Sequence, residues 1–249
     1  MNERSPLGVL PSDSGSPSTL TAAWFGRVEY PAAWSWQREL FMARLDGDKS
    51  DSVMLLEHPP TYTLGRRGLA EDLVYDAIQR AARGIALYEV DRGGRATYHG
   101  PGQLVGYPIL ALGERYDVVS YLRKLEDVLV RTAADLGVEA RRDPDHTGVW
   151  VRNNKIGAIG VKITRGITMH GFAFNVTTDL SMFEGIVPCG LQDRWVTSVE
   201  AETGRKHSVK EVATIAAAHV ADTFDRTLVW THPKSLLATE PVPVGARSR

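Results

Sequence analysis

The stretch KIGAIGVKITRGITMHGFAFNV, residues 155–176, decides the fold. Its first half, Lys155–Ile163, carries an even-spaced strand pattern, and its second half, Thr168–Val176, reads as another strand. Only a few residues around Arg165-Gly166 separate them, and so short a connection implies antiparallel pairing. Working upstream, the turn Arg152-Asn153-Asn154 joins Lys155–Ile163 to a further candidate strand, Gly148–Val151. Ser52–Glu57, Ile85–Val90 and Gly102–Ile109 complete the set.

Helical periods lie outside these strands. Residues from Ala32 to about Asp46 place Trp36, Leu40 and Ala43 on one face. A second helix is predicted to start at Asp117, a good N-cap, and to stop before Gly137. Val118, Tyr121, Leu122, Leu125, Val128, Leu129 and Leu136 keep its period. A third starts at Ser208 with Glu211 three residues on, the signature of a capping box. Its buried stripe is Val209, Val212, Ile215, Ala216 and Phe224. The expected fold class is therefore α+β, a single domain with a largely antiparallel sheet and packed helices.

Composition sets the outer limits. The 249 residues are 43% hydrophobic and 24% charged, with 29 basic and 30 acidic side chains. This is ordinary globular usage, and its near-neutral charge gives no support for wholesale nucleic-acid binding. No apolar run approaches the roughly 18 residues of a membrane span, and the N-terminus lacks the apolar core of a secretory signal. The single cysteine, Cys189, rules out an intrachain disulfide or a multi-cysteine metal site. A cytoplasmic protein with no membrane role is expected. Residues 1–20, rich in Ser, Pro and Gly, read as a disordered arm, and 234–249 as a disordered tail. The folded domain is expected to span 21–233.

Two segments bear on chemistry. Residues 92–103, RGGRATYHGPGQ, hold four glycines and a proline directly after a strand candidate. Glycines let backbone N–H groups approach a ligand, but the stretch lacks the Gly-Lys-Ser/Thr ending of a P-loop. A plain turn between strands would look the same. The second segment is IVPCGL, residues 186–191. A lone cysteine is commonly an inert buried thiol. Between Pro188 and Gly190, however, Cys189 falls on a turn, where catalytic groups concentrate. A nucleophilic thiol needs a nearby cation or base. The candidates are His99, His170, Lys155 and Lys162. Lysine is usually solvated, and spacing alone does not choose among them. Glycines at 157 and 160 suggest close approach of a ligand or backbone to that strand.

Four stretches together carry a resemblance: RGGRATYHGPGQ at 92–103, KIGAIG at 155–160, HGFAFNV at 170–176 and IVPCGL at 186–191. The chain resembles the lipoyl(octanoyl) transferases over roughly 24–225. The resemblance implies a fold like that of biotin and lipoate protein ligases. It implies transfer of octanoyl from octanoyl-acyl carrier protein to a lysine of lipoyl domains, those of 2-oxo-acid dehydrogenase complexes and of the glycine cleavage H protein. It further implies a cysteine acyl-thioester at Cys189 and a pKa-lowering lysine at Lys155. Substrate-binding positions carried over are Arg92, Gly93, Gly94, Arg95, Ala96, Thr97, Tyr98 and His99. The others are Ala158, Ile159, Gly160, Gly171, Phe172 and Ala173. No metal, no cofactor and a monomeric enzyme are expected. The competing readings are an ATP-dependent lipoate or biotin ligase, a non-catalytic carrier-protein-binding module, and a cysteine hydrolase with a Cys189–His170 pair.

One local charge bias stands out. Residues 141–166 hold Arg141, Arg142, Arg152, Lys155, Lys162 and Arg165 against Asp143 and Asp145. With Arg66, Arg67, Arg92 and Arg95 they are the candidates for a face that steers an acidic carrier, unless strand alternation scatters them.

Overall fold

The computed structural model describes residues 18–187 and 195–238. Cys189 lies outside the described residues. Along the chain run β1 (Thr19–Arg27), α1 (Tyr30–Leu45), β2 (Asp51–Glu57), β3 (Thr61–Leu64), α2 (Ala77–Ala82), β4 (Ala86–Glu89), β5 (Ala96–His99) and β6 (Gln103–Ile109). Then follow α3 (Val118–Asp135), β7 (Arg141–Arg142), β8 (Val149–Val151), β9 (Asn154–Thr164), β10 (Ile167–Asn175), α4 (Val199–Thr203), α5 (Val209–Thr223), β11 (Thr227–Trp230) and α6 (Pro233–Leu237). The ordered elements thus begin at Thr19 and run to Leu237, slightly wider than 21–233.

The hairpin read from 155–176 is the centre of the molecule. β9 and β10 pair antiparallel from Ile167↔Thr164 to Phe174↔Gly157. Arg165 and Gly166, both at positive φ, make the two-residue reversal, a backbone that matches the twist of the flanking strands. The hairpin belongs to an eight-stranded sheet ordered β11-β1-β2-β6-β10-β9-β8-β7. Most of its pairs are antiparallel, but β1 lies parallel to both β2 and β11. A second, three-stranded sheet is ordered β4-β3-β5.

Helices cover both faces of the large sheet, so its central strands have no solvent side and read as apolar runs. On β10, Phe172 and Phe174 join the α3/α5 side with Leu125, Leu129, Val212 and Ala216. Ile167, Met169 and Ala173 join the α1/α6 side with Ala33, Leu40, Tyr107 and Leu236. Each large side chain so buried contributes roughly 1.5–3 kcal/mol.

Two expectations about helix ends come out differently. Asp117 caps α3 as expected, accepting from Val119 N and Ser120 N, both at 3.1 Å. Ser208 makes no side-chain bond to the first turn of α5, so the capping box read there is not formed. The buried stripe Val209, Val212, Ala213, Ala216 and Val220 holds that helix instead. A reciprocal box does form at α2, between Asp76 and Gln79.

Candidate active site

Where β9, β10 and β5 converge, the two sheets enclose a cavity of about 490 Å³. Lys155, Ile156, Gly157, Ala158, Ile159 and Gly160 of β9 form one wall, and His170, Gly171, Phe172, Ala173 and Asn175 of β10 another. Arg92, Gly94, Arg95, Ala96, Thr97 and His99 close it from the glycine-rich stretch. Of the substrate-binding positions carried over from the resemblance, Gly93 and Tyr98 do not line it. Gly93 donates its amide to Val161 O at 2.8 Å. Tyr98 follows the alternation of β5 away from the cavity and packs on Tyr62 and Phe183. The stretch is therefore part strand rather than a simple loop.

The arginines of this stretch hold it together, Arg92 enclosed and Arg95 half-buried. Arg92 is 7% exposed. Its guanidinium bonds Thr63 Oγ1 at 2.7 Å, Thr63 O at 2.8 Å, Gly93 O at 2.9 Å and Arg95 O at 3.0 Å. Gly160 makes this closure possible, because a Cβ there would sit 2.9 Å from Gly93 O and 3.0 Å from Arg92 Cδ. Arg95 forms a two-bond ion pair with the fully buried carboxylate of Asp72. Asp72 also caps Leu69 N at 3.0 Å, and its backbone oxygen accepts from Val187 N at 2.8 Å. One residue thus ties the cavity wall to the last described residue before the cysteine segment.

Asp72→Ala should therefore destabilise the fold. The carboxylate is enclosed but the Arg95 side chain is 35% exposed, so the loss is that of charged hydrogen bonds, about 1.5–3 kcal/mol. Chemical denaturation should show a loss in that range. Asp72→Asn, which keeps the cap to Leu69 N, should recover part of it. A loss below about 1 kcal/mol, the range of an exposed pair, would contradict this role.

Lys155 is a buried wall residue, not the solvated edge lysine that composition favours. It is 8% exposed, with Nζ 4.6 Å from the centroid of the Trp150 ring. Gly148, at φ +128, leaves room for it, since a Cβ there would lie 3.2 Å from Lys155 Cε. Gly148 N is in turn held at 2.9 Å by Glu126, a fully buried carboxylate paired with Arg123. The backbone of Lys155 bonds to the chain that resumes after the cysteine segment, with Lys155 N to Trp195 O and Thr197 N to Lys155 O both at 2.9 Å. Lys162, the other lysine considered, is tied to Asp91 at 2.7 Å. His170 reaches the other oxygen of Asp91, also at 2.7 Å.

The candidate basic face divides: some of its cations are ion-paired or buried, whereas Arg66, Arg67, Arg141, Arg142 and Arg165 are exposed. Arg152 pairs with Glu202, Lys162 with Asp91 and Arg95 with Asp72, while Arg92 is enclosed.

Burial disfavours the charged form of three histidines, His58, His99 and His170. His58 donates from Nδ1 to Val28 O at 2.6 Å and meets Tyr107 OH at 2.8 Å. Burial lowers its pKa to about 4. Burial also pushes His99 well below the usual histidine value, with His58 and Arg92 adding to the effect. His170 is lowered by burial, against the opposing pull of Asp91. Tyr30, stacked on His99, is raised to about 12 by the same desolvation.

Several wall residues carried no isolated signal in the sequence. Tyr30 enters from the first turn of α1, Tyr107 from β6, and Asp145-His146-Thr147 from an irregular segment. Gln103 and Asn175 were readable as polar residues within strands, a pattern that marks a buried hydrogen-bond network.

A model of the lipoyl protein ligase A/B catalytic domain matches residues 29–221. The chain belongs to this family. Among the relatives of this family member, the octanoyltransferase of Mycolicibacterium gilvum is 44% identical over 224 residues, covering 88% of this chain and 91% of the relative. The octanoyltransferase of a Mycobacterium species (strain KMS) is 46% identical over 209 residues, covering 82% and 84%. In architecture the chain is similar to a bipartite lipoate protein ligase from Thermoplasma acidophilum, with a TM-score of 0.70, 20% identity and coverage of 90% and 91%. The expected lipoate protein ligase fold is thus found.

Proposed function

We propose that this protein transfers octanoyl from octanoyl-acyl carrier protein to the acceptor lysine of lipoyl domains, through a thioester on Cys189 and without ATP. The observation that carries the reading is the burial of Lys155 in the wall of the cavity. Trp195 and Thr197, just past the cysteine segment, are hydrogen-bonded to its backbone. An ammonium so placed favours a thiolate beside it.

The first step is attack of the Cys189 thiolate on the donor thioester. A new C–S bond forms, the old one breaks, and the carrier thiol leaves with the electron pair. One thioester replaces another, so the step is close to isoenergetic and needs no nucleotide. In the second step the neutral acceptor amine attacks the enzyme thioester, a C–N bond forms as the C–S bond breaks with its electron pair to sulfur, and the proton the amine loses is taken by Lys155, left neutral when its own proton departed with the carrier thiol. A volume of about 490 Å³ lies within the usual range of small-ligand pockets. Gly157, Ala158, Ile159 and Gly160 give an aliphatic chain a low wall to lie against. The octanoyltransferase names of relatives covered along most of their length support the same donor group. The acceptors are lipoyl domains of 2-oxo-acid dehydrogenase complexes and the glycine cleavage H protein, the setting is the cytoplasm, and the working unit is one chain. Among the described residues no helix is long and apolar enough to cross a membrane.

Intact-mass measurement after mixing with octanoyl-carrier protein, with ATP and Mg²⁺ withheld, tests the reading. A gain of one octanoyl group, released on adding a lipoyl domain, is expected. Transfer that proceeds only with ATP would assign a ligase instead. Release at the same rate into water would assign a hydrolase.

A further inference from the structure

One segment at the rim of the cavity, residues 66–78, carries side chains that no contact within the chain employs. Arg66 and Arg67 are exposed, and Arg67 lines the cavity. Their backbone is firmly placed. Gly65 N reaches Arg95 O at 3.2 Å, Arg66 N reaches Arg92 O at 3.0 Å and Arg67 N reaches Gly94 O at 3.1 Å. Among the described residues neither guanidinium has an ion pair or a hydrogen bond. Further along, Leu69, Val74 and Ile78 are 53%, 56% and 79% exposed. Ile78 lies on α2, whose six residues include none that is buried. That is far short of the roughly 12–15 residues a helix needs to stand alone. The Asp76–Gln79 box and a bond from Arg80 to Tyr75 O at 2.7 Å hold it. The frame beneath is fixed as well, since Val74 N and Tyr75 N reach Gly185 O at 2.9 and 3.2 Å. Apolar side chains held outward on a fixed frame beside a cavity mark an interaction surface.

We infer that this segment is the docking face for the acyl carrier protein that donates octanoyl, and that Arg67 pairs with the phosphodiester of the carrier's prosthetic arm. The inference rests on the transfer reading and names the surface its donor uses. An acyl carrier presents its thioester at the end of an arm attached through a phosphodiester. A donor reaching into the cavity therefore brings an anion to the rim, and a guanidinium can bond two phosphate oxygens at once. The body of the carrier is acidic, and the charges here suit it. Arg66, Arg67 and Arg83 are exposed, with Arg83 lying over the Tyr75 ring at 4.3 Å. The exposed carboxylates of the segment are Glu71 and Asp76, and Asp76 is occupied by Gln79 N at 2.8 Å. Leu69, Val74 and Ile78 supply the apolar contact, while the cations set orientation and speed of encounter. The lipoyl domain fits this face less well. It offers the rim an amine and no phosphate, and two unpaired arginines repel the protonated form of that amine.

Two small donors that differ by one phosphate test the arginine. Octanoyl-pantetheine and octanoyl-phosphopantetheine carry the same thioester on the same arm, and intact mass of the full chain reads acylation by each. The unaltered protein should react about tenfold faster with the phosphorylated donor, the low end for a charged hydrogen bond. Arg67→Gln should bring that ratio close to one. Equal rates with both donors in the unaltered protein, or a ratio that survives in Arg67→Gln, would overturn the inference. Docking of the whole carrier is read with octanoyl-carrier protein. Ile78→Glu places a carboxylate where the acidic partner must lie, on a side chain 79% exposed and therefore harmless to the core. It should slow acylation by the carrier about tenfold more than acylation by octanoyl-pantetheine. If both donors slow alike, the effect is structural and the docking face is refuted. If the step that slows is release of octanoyl to a lipoyl domain, the face belongs to the acceptor and the inference is equally refuted. An unaltered protein that takes octanoyl from none of the three donors would overturn the transfer reading itself, a result separate from any ratio between donors.

Discussion

Replacing Lys155 by methionine is expected to slow acylation of Cys189 at pH 7 by about twenty-five-fold, with the fold retained. A free thiol with a pKa near 8.5 is only about 3% thiolate at pH 7. A cation within hydrogen-bonding range typically lowers such a value by one to three units, and a shift of two raises the thiolate to about three quarters. The ratio of those fractions sets the expected loss. Methionine is chosen because Lys155 is 8% exposed and its stem packs beside Trp150 and Gly148. Alanine would mix a packing defect with the lost charge. Arginine is the sharper companion. It keeps the charge but must fit a space where Gly148 already has no side chain to give, so it should rescue poorly. The measurement is the alkylation rate of the single thiol against pH. In Lys155→Met its midpoint should move up by about two units. An unmoved midpoint would take Lys155 out of the role. Lys162 would be a poor substitute, since its ammonium is already paired with Asp91 at 2.7 Å.

How far the sequence disclosed this site depends on which physical signal each part carried. The β9–β10 hairpin was legible because strand composition and a polar turn agree over 155–176. So was α3, where Asp117, a sustained period and Gly137 give start, body and stop. β3 and β5 were not legible. Each has four residues, and each lies beside Gly- or Pro-rich sequence that reads as loop. β1 and β11 escaped because their pairing is parallel and joins distant parts of the chain, which no local turn announces. At the site, the stretches 92–99, 155–160 and 170–173 converge as their motifs suggested. What pattern could not supply was orientation. Tyr98 sits between Thr97 and His99 in sequence yet belongs to another core. Lys155 and Lys162 occupy one strand, but the first is enclosed and the second ion-paired near the surface. Of the arginines that looked like a docking face, Arg92, Arg95 and Arg152 are held by Thr63, Asp72 and Glu202, residues 20 to 50 positions away, while Arg66, Arg67, Arg141, Arg142 and Arg165 stay exposed. Charge counted along a chain ignores such partners.

Cys189→Ala should abolish the octanoyl adduct and reduce transfer to the background of mixed donor and acceptor. Removing the nucleophile of a covalent mechanism forces the acceptor amine to attack the carrier thioester directly. The energy of forming the enzyme thioester is then unavailable, and only proximity remains. Losses for such residues run to about 10⁴-fold or more. Serine in its place should do little better, because an alcohol of far higher pKa gains almost no ionisation from a neighbouring ammonium. The composition makes the test clean. Cys189 is the only thiol in the 249 residues, so one alkylation event reports on one site, and prior acylation must protect it fully. The variant also separates the family's two chemistries. A ligase that activates its acyl group as an adenylate has no need of this sulfur, and Cys189→Ala would keep an ATP-dependent activity. Adduct-free transfer at an undiminished rate, with or without ATP, would remove the thioester from the mechanism. It would leave the buried Lys155 to be explained as an electrostatic anchor for the carboxyl or phosphate of an activated acyl group.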